Sequence, residues 1–406
     1  MPEIQPFPAI TYADKALERV LAPPYDVIPP PLQEELYARD ARNIVRVVLN
    51  KTAGDAGYAE VGETFAGWLA DGTLRHEDPA LYVVEQSFQW EGRAHTRVGL
   101  YARFRAEDPE KRIVLPHEHT RKGPKEDRWR VLNATRANFS PIFMMVPDPA
   151  GRLAALQTAA MSDAPAFEYT DDGGVGHRVF RVDEPERVAA FQEALGAVKA
   201  YIADGHHRYA TALRYRDANG PEGAWTLGYF TPMEAPGLLV LPYHRILSSG
   251  PSLAEARRAL EGKFLLNEVK DARTAEADAG QSTMPYAFGL AWPEGGALVA
   301  EALPEVEDLF AEATPPSLRA LDTYFFHQVV LAKLLGVSED AVSYVHSFNE
   351  AQEALERKTC RLAALMRGTP VRQIVDVAEA SESMPAKSTF FHPKLPSGLV
   401  IHPLLA

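Results

Sequence analysis

Hydrophobic and polar positions along this chain predict strands and helices that are interleaved over its whole length. Residues 80–89 and 94–105 predict a β-hairpin across a turn at 90–93. The β-branched run 43–50 predicts a buried strand. Helices are predicted over the amphipathic stretches 32–39, 59–69, 185–196 and 318–335. This mixture predicts an α/β protein of the mixed α+β kind.

A chain of 406 residues is long enough for several domains. We predict an N-terminal α/β part at 1–147, a central part at 148–250 and an additional, more helical α/β part at 251–406.

The stretch 201–213 joins a predicted strand to a predicted helix through a run of polar residues. Asp204 ends the strand, Gly205 permits a tight turn, and His206, His207 and Arg208 open the helix. Free N–H groups and the positive end of the helix dipole make such a junction an anion site. We therefore predict a phosphate site here, with an ordinary solvated junction as the alternative.

A second predicted strand–loop–helix junction lies at 113–128 and is equally rich in charge. Its candidates for phosphate binding are Lys122, Lys125 and Arg128. Glu118, between His117 and His119, is the leading candidate to accept a proton or to hold Mg²⁺. The two histidines lack a third zinc ligand at a recognisable spacing. An exposed, charged helix start is the alternative interpretation.

Three further segments carry candidate residues. The proline-rich loop 23–31 presents Asp26, a possible catalytic carboxylate together with Asp204 and Glu118. A strand end near 241–245 carries His244 and Arg245, and the segment 384–394 carries Lys387 and Ser388. We expect these four residues to bind phosphate or nucleotide, with a solvated loop and a sheet-edge strand as the alternatives.

Composition narrows the function classes. The 42 basic and 55 acidic side chains give a net charge of −13, without a dense basic segment, which argues against generic binding to DNA or anionic membranes. The single cysteine, Cys360, excludes an internal disulfide and a cysteine-rich metal cage. Without a signal-peptide pattern or a long apolar run, we expect a soluble, cytoplasmic protein.

Seven motifs, in order, resemble the bacterial and archaeal family catalogued as domain of unknown function 1015. They are PPYDVI (23–28), NIVRV (43–47), PHEHT…PKEDR (116–128), ATRANFSPIF (134–143), IADGHHRYATAL (202–213), LPYHR (241–245) and MPAKSTFF (384–391). The DGHHR junction is also similar to the phosphate turn of the ParB/sulfiredoxin superfamily, which includes CTP-binding partition proteins, sulfinic acid reductases and free serine kinases. That resemblance implies a ParB/sulfiredoxin-like core, with Gly205, His206, His207 and Arg208 on the phosphates.

The chain departs from sulfiredoxins, since the motif has no cysteine, and from partition proteins, since it lacks a basic DNA-binding segment. The resemblance therefore implies a nucleotide-dependent phosphotransferase or phosphatase that acts on a small metabolite such as serine or phosphoserine. ATP or ADP and Mg²⁺ would be its cofactors. A nucleotide-binding switch without turnover and a ParB-like nuclease or DNA-associated protein are the alternatives. Self-association into a homo-oligomer stays open.

Overall fold

The computed structural model describes residues 1–120 and 122–404, with Lys122 and Pro124 described through their backbone alone. The chain forms two compact units. The first unit comprises Met1–Pro116, Thr120–Leu239 and Pro393–Ala406, and the second comprises His117–His119 and Val240–His392. The fold is α/β, as the alternation of strand and helix patterns predicted. No helix of the described residues is long and apolar enough to cross a bilayer.

Strands are numbered in chain order. The first twelve are β1 (Ile4–Gln5), β2 (Ile10–Tyr12), β3 (Leu74–His76), β4 (Leu81–Trp90), β5 (Arg93–Arg105), β6 (Val114–Leu115), β7 (Ala137–Asn138), β8 (Ile142–Val146), β9 (Phe167–Thr170), β10 (Gly176–Val182), β11 (Ala200–Asp204) and β12 (Trp225–Pro232). The others are β13 (Leu239–Leu241), β14 (His244–Leu247), β15 (Phe264–Val269), β16 (Phe288–Ala291), β17 (Ala297–Ala302), β18 (Val342–Val345), β19 (Leu362–Leu365), β20 (Phe390–His392) and β21 (His402–Pro403).

The α-helices are numbered in the same way. Those of the first unit are α1 (Leu17–Val20), α2 (Pro30–Arg39), α3 (Val45–Val48), α4 (Gly54–Ala70), α5 (Lys122–Thr135), α6 (Arg152–Ala160), α7 (Pro185–Leu195) and α8 (His206–Asn219). Those of the second unit are α9 (Leu253–Leu260), α10 (Ala272–Gln281), α11 (Pro316–Arg319), α12 (Asp322–Phe325), α13 (Phe348–Glu356) and α14 (Val371–Glu379), with a π-helical segment at Phe326–Leu335.

Within the described residues, the first unit is built on a nine-stranded mixed sheet in the order β6-β11-β8-β12-β5-β4-β10-β9, with β1 also paired to β5. One row of directly paired residues crosses this sheet from Tyr82 through Tyr101, Tyr229 and Phe143 to Asp204. The first four side chains are buried aromatic rings. The row fixes the position of Asp204 at the end of β11, because paired residues share one face of a sheet.

The second unit is built on an antiparallel sheet of six strands in its described residues, in the order β15-β17-β16-β19-β14-β18. One side of this sheet packs on an aromatic cluster that includes Phe288, Phe325 and Phe326. The other side packs against small residues of α10 and α13 such as Ala275 and Ala351. The sheet thus has a helix-covered core on both faces.

Several local predictions are confirmed. The hairpin of β4 and β5 turns at Glu91–Gly92, and the strand–glycine–helix junction at Asp204–His206 has the expected order. The helices predicted at 32–39, 59–69 and 185–196 correspond to α2, α4 and α7. The nine-stranded sheet takes strands from both 1–147 and 148–250. The three-part division into domains stays a prediction.

The strand predicted at 43–50 is wrong, because its β-branched residues form α3. Asn43 begins this turn of helix: its side-chain oxygen accepts from the Val45 N–H at 3.0 Å, and its amide group donates to the carbonyls of Arg19 and Leu21. These tertiary contacts and the burial of Val45, Val47 and Val48 outweigh a β propensity that depends on context.

The single helix predicted at 318–335 is also wrong, because α11 and α12 are separated at Ala320–Leu321 and the π-helical segment follows α12. The apolar spacing continues through all three pieces, and Phe325, Val329 and Val330 are fully buried. A hydrophobic period therefore does not by itself reveal a change in the hydrogen-bonding register of a helix.

We predict that Gly99→Ala destabilises the first unit by about 1–3 kcal/mol, since an added methyl must displace the buried ring of Tyr229. A Cβ at Gly99 would lie 2.1 Å from that ring. Gly67→Ala on the exposed face of α4 is the control, where a Cβ meets no atom within 4 Å among the described residues, and it should stabilise by up to about 1 kcal/mol. Chemical denaturation measures both, and equal stability of the two variants would contradict the packing.

Candidate functional site

The corner at Asp204–Gly205–His206 is the first feature of the candidate site. β11 ends at Asp204, Gly205 has φ +95°, and α8 begins directly afterwards. A Cβ at Gly205 would lie 3.0 Å from the guanidinium carbon of Arg208, so glycine allows that side chain to lie across the turn. The N-cap residue of α8 is Gly205, which has no side chain to cap the first turn. The positive end of the α8 dipole lies at this corner, where it favours an anion.

Two cations hold the carboxylate of Asp204. Lys394 Nζ lies 2.8 Å from Asp204 Oδ2, and Arg208 Nη2 lies 3.5 Å from Oδ1. Arg208 also donates to the carbonyl of Pro141. Lys394 was not among the predicted site residues, although it ends one of the quoted segments. A lysine in an otherwise apolar stretch after a proline was the available signal, because a buried lysine needs an ionic partner.

The charges at the corner fix its protonation. Burial opposes the ionisation of Asp204, but Lys394 and then Arg208 outweigh this effect and hold the pKa of the carboxyl well below its usual range. Burial lowers the pKa of His206 to about 3, although Asp204 opposes this shift. At neutral pH Asp204 is therefore an anion and His206 a neutral imidazole. The positive charge of the corner comes from Arg208 and Lys394.

A cavity of about 50 Å³ lies beside Arg208 within the first unit. Its lining is Tyr25, Val48, Arg128, Val131, Leu132, Ala137, Asn138, Phe139, Ser140, Ile142, Arg208, Thr211 and Thr226. The Arg128 guanidinium stacks 3.8 Å from the centre of the Tyr25 ring. Burial raises the pKa of Tyr25 to about 12, so its hydroxyl stays protonated and can donate. A cavity of this size admits a few water molecules or one small oxyanion.

The structure brings some predicted residues together in the first unit. Arg128 and Arg208 line the same cavity, and the exposed Asp26 follows Tyr25 in the chain. His207 and Lys125 are half-buried. The side chain of Lys122 lies outside the described residues.

The remaining predicted residues belong to the second unit. They are Glu118, His244, Arg245, Lys387 and Ser388. The binding and catalytic roles predicted for these residues stay predictions.

Two of the predicted segments are adjacent within the second unit. Glu118 forms a parallel bridge with Met384, and the Met384 N–H donates to the carbonyl of His117 at 2.9 Å. His244 accepts a hydrogen bond at Nδ1 from the Met366 N–H, and burial, followed by Arg245, lowers its pKa to about 4. His244 is therefore neutral at pH 7 and does not add positive charge to a phosphate site.

The described residues contain no group of three or more His, Cys, Asp or Glu side chains arranged to hold a metal ion. Mg²⁺ commonly takes only one or two protein carboxylates together with substrate phosphates. At the corner, however, both oxygens of Asp204 already contact cations. The residues of this corner therefore do not fit a resident Mg²⁺.

The family model described as "Protein of unknown function (DUF1015)" matches residues 4–324. No curated protein matches the sequence significantly.

Three solved structures resemble the fold. A free serine kinase in complex with AMP has 13% identity and a TM-score of 0.34, covering 72% of this chain and 86% of that chain. A conserved hypothetical protein from Pyrococcus furiosus has 14% identity and a TM-score of 0.34, covering 74% and 93%. SbnI with a C-terminal truncation from Staphylococcus aureus has 11% identity and a TM-score of 0.36, covering 72% and 84%. At these TM-scores the likeness is coarse, so function rests on the site itself.

We predict that Lys394→Met destabilises the protein by about 3 kcal/mol at pH 7, because it leaves the charge of Asp204 buried without its nearest partner. The double variant Asp204→Asn/Lys394→Met should lose less than the sum of the two single variants. Arg187→Met, which breaks the exposed pair with Asp163, is the control and should change stability by less than about 1 kcal/mol. Strict additivity in urea denaturation would contradict the coupling.

We predict that acid weakens the fold well above the range where carboxylates titrate. Burial lowers the pKa of four histidines: His206 and His402 to about 3, and His244 and His327 to about 4. Above a pH of about 6.5 neither state is protonated. As the pH falls from there towards 4, the unfolded chain gains protons first, so the free energy of unfolding decreases.

The free energy of unfolding should fall by about 1.4 kcal/mol per pH unit for each of these buried histidines. Urea denaturation between pH 7 and pH 5 measures it, and His402→Gln should reduce the slope. A free energy of unfolding that stays constant over this interval would show that these histidines are not buried as neutral rings.

Proposed function

The chain belongs to the DUF1015 family of proteins of unknown function, and we propose that its first unit binds a nucleotide phosphate at the Asp204–Gly205 corner and serves in phosphoryl transfer to or from a small metabolite. The observation that carries this proposal is the arrangement of Lys394 and Arg208 around Asp204 at the start of α8. ATP or ADP is the proposed nucleotide, and serine or phosphoserine the proposed metabolite.

The charge balance favours an anionic ligand. Three cations, Arg128, Arg208 and Lys394, are accompanied by three carboxylates, Asp127, Asp204 and the exposed Asp26. The positive end of α8 adds positive charge to this balance. Phosphoryl transfer depends mainly on positioning and on neutralising the charge of the phosphoryl oxygens. A phosphate in the cavity beside Arg208 would be stabilised by the positive charge of Arg208, Arg128 and the start of α8. It would accept hydrogen bonds from the side chains of Arg128, Tyr25 and Ser140.

The predicted residues at the corner have distinct roles in the proposal. The backbone N–H groups after Gly205 and the guanidinium of Arg208 hold phosphate oxygens, with the neutral His206 and with His207 as further donors at the helix start. Asp204 keeps Lys394 and Arg208 in place. Its strongly lowered pKa makes it a weak general base, since efficient proton transfer needs a pKa near the working pH. Within the first unit, Asp26 is therefore the proposed proton acceptor, and the role of Glu118 in the second unit stays a prediction.

The resemblance of Gly205–Arg208 to the phosphate turn of the ParB/sulfiredoxin superfamily supports the same assignment. Because the superfamily includes CTP-binding partition proteins, the same resemblance supports a second candidate function, a nucleotide-binding switch without turnover. The low basicity of Asp204 favours this candidate, because binding a phosphate requires no proton acceptor. A nuclease or DNA-associated role is disfavoured by the net charge of −13.

We predict that Arg208→Met lowers the affinity for ATP and ADP about 10- to 100-fold, the effect of losing charge-assisted hydrogen bonds to a phosphate. Arg214→Met is the matched control on the same helix, since Arg214 is half-exposed and pairs with Glu126 at 2.8 Å. Isothermal titration calorimetry measures affinity, and product analysis with serine or phosphoserine measures turnover. Binding without new products would favour the switch. Equal losses in both variants, or in neither, would show that the corner is not the phosphate site.

A further inference from the structure

A second group of cationic and aromatic side chains surrounds Arg245 in β14 of the second unit. Arg245 is fully buried, with 0% of its surface exposed. Its Nε lies 3.2 Å from Nε2 of His327, its Nη1 donates to the carbonyl of Tyr243, and its Nη2 donates to the carbonyl of Lys387 at 3.4 Å. The guanidinium also lies over the Tyr344 ring, 5.5 Å from its centre. The side chain is thus fixed by neutral acceptors on every nitrogen.

None of the described residues provides Arg245 with a carboxylate partner. Burial lowers the pKa of Arg245 to about 10, which still leaves it charged at neutral pH. A buried charge without a counter-ion is strongly unfavourable, and proteins normally pair such a group. The interior of the second unit therefore holds, at Arg245, a positive charge without a carboxylate partner among the described residues, 3.4 Å from the carbonyl of Lys387.

His327 does not relay a negative charge to Arg245. Burial, followed by the field of Arg245, lowers the pKa of His327 to about 4, so the ring is neutral at pH 7. Its Nε2 accepts from Arg245, which leaves the proton on Nδ1. Nδ1 is 3.9 Å from a carboxylate oxygen of Glu339, which is largely exposed. His327 lies in the first turn of the π-helical segment, and π-helical turns occur frequently at functional sites.

Lys387 forms the outer layer of this group. Its backbone is left-handed with φ +60°, and its side chain is exposed. Lys387 Nζ lies 3.5 Å from the Tyr243 hydroxyl and 5.1 Å from the centre of the Tyr243 ring.

The next residue, Ser388, is buried and anchors the loop. Its hydroxyl donates to the carbonyl of Pro385 at 2.7 Å, and the Thr369 hydroxyl donates to its carbonyl at 3.0 Å. A non-glycine residue such as Lys387 keeps a left-handed backbone conformation only where its surroundings hold it there. The loop therefore presents the Lys387 ammonium in a fixed place.

We propose that Lys387 binds a small oxyanion, a carboxylate or a phosphate group, at the surface of the second unit, with Arg245 as a positioning residue that fixes its loop and adds positive charge from below. The ammonium and the hydroxyl of Tyr243 are the direct donors. Ser388, predicted from the sequence as a ligand, instead anchors the loop. This inference uses the second unit alone and does not rest on the phosphate corner of the first unit.

The test measures the reactivity of Lys387 in the full-length protein. The chain is treated with N-hydroxysuccinimidyl acetate in chloride, acetate or phosphate at equal ionic strength, and mass spectrometry gives the acylation rate of each lysine. A bound anion holds the ammonium in its charged, unreactive form, so acetate or phosphate should slow the reaction of Lys387 about tenfold. Lys358 is the internal control, because it is also exposed and left-handed at φ +55° in the second unit.

Protection of Lys387 alone supports the site, and the salt that protects identifies carboxylate or phosphate as its ligand. Equal rates in all three salts, or equal slowing of Lys358, overturn it. Arg245→Gln should abolish the protection of Lys387. Arg273→Gln, at an exposed position of α10, should leave this protection intact. If Arg245→Gln does not fold, the comparison of Lys387 with Lys358 in the unaltered protein decides. The readout is specific to Lys387, so failure here leaves the proposal for the first unit unaffected.

Discussion

The ion pair between Asp204 and Lys394 joins two residues that are 190 positions apart in the sequence. Their side chains are only 19% and 16% exposed, so neither charge is well solvated, and breaking the pair would leave the carboxylate of Asp204 without its nearest partner. The row of paired aromatic residues across the sheet places Asp204 at the end of β11. The corner, its protonation and the start of α8 all depend on this pair being formed.

The C-terminal segment that carries Lys394 is an integral part of the first unit. Pro393 accepts a hydrogen bond from the buried Arg97, and the hydroxyls of Ser397 and Ser140 lie 2.7 Å apart. The Gly398 N–H donates to the carbonyl of Phe139, and β21 then pairs with β7. The segment therefore runs from the Asp204 corner past a residue of the cavity wall. Closure of this long loop links the folding of the first unit to the formation of its site.

Burial, more than residue type, decides the charge of the polar clusters in both units. The sequence placed His206 and His244 among the phosphate ligands, but burial lowers their pKa values and leaves them neutral at pH 7. Burial has the same effect on His327, which the sequence did not single out. The positive charge lies instead on Arg208, Lys394 and the fully buried Arg245. Guanidinium and ammonium groups can stay charged in such places because their pKa values start far above neutral.

The sequence by itself determined the α/β class, the β4–β5 hairpin, the strand–glycine–helix junction at Asp204 and the family. The first three features follow from local periodicity and from the positive φ that glycine permits, and the family follows from the resemblance of seven motifs. Tertiary structure alone decided that Val45–Val48 is helical, that 318–335 is broken and that Lys394 meets Asp204. The sequence could not reveal these because the bonds from Asn43 to the carbonyls of Arg19 and Leu21, burial, and ion pairing over 190 residues are non-local contacts, and a local pattern carries no record of them.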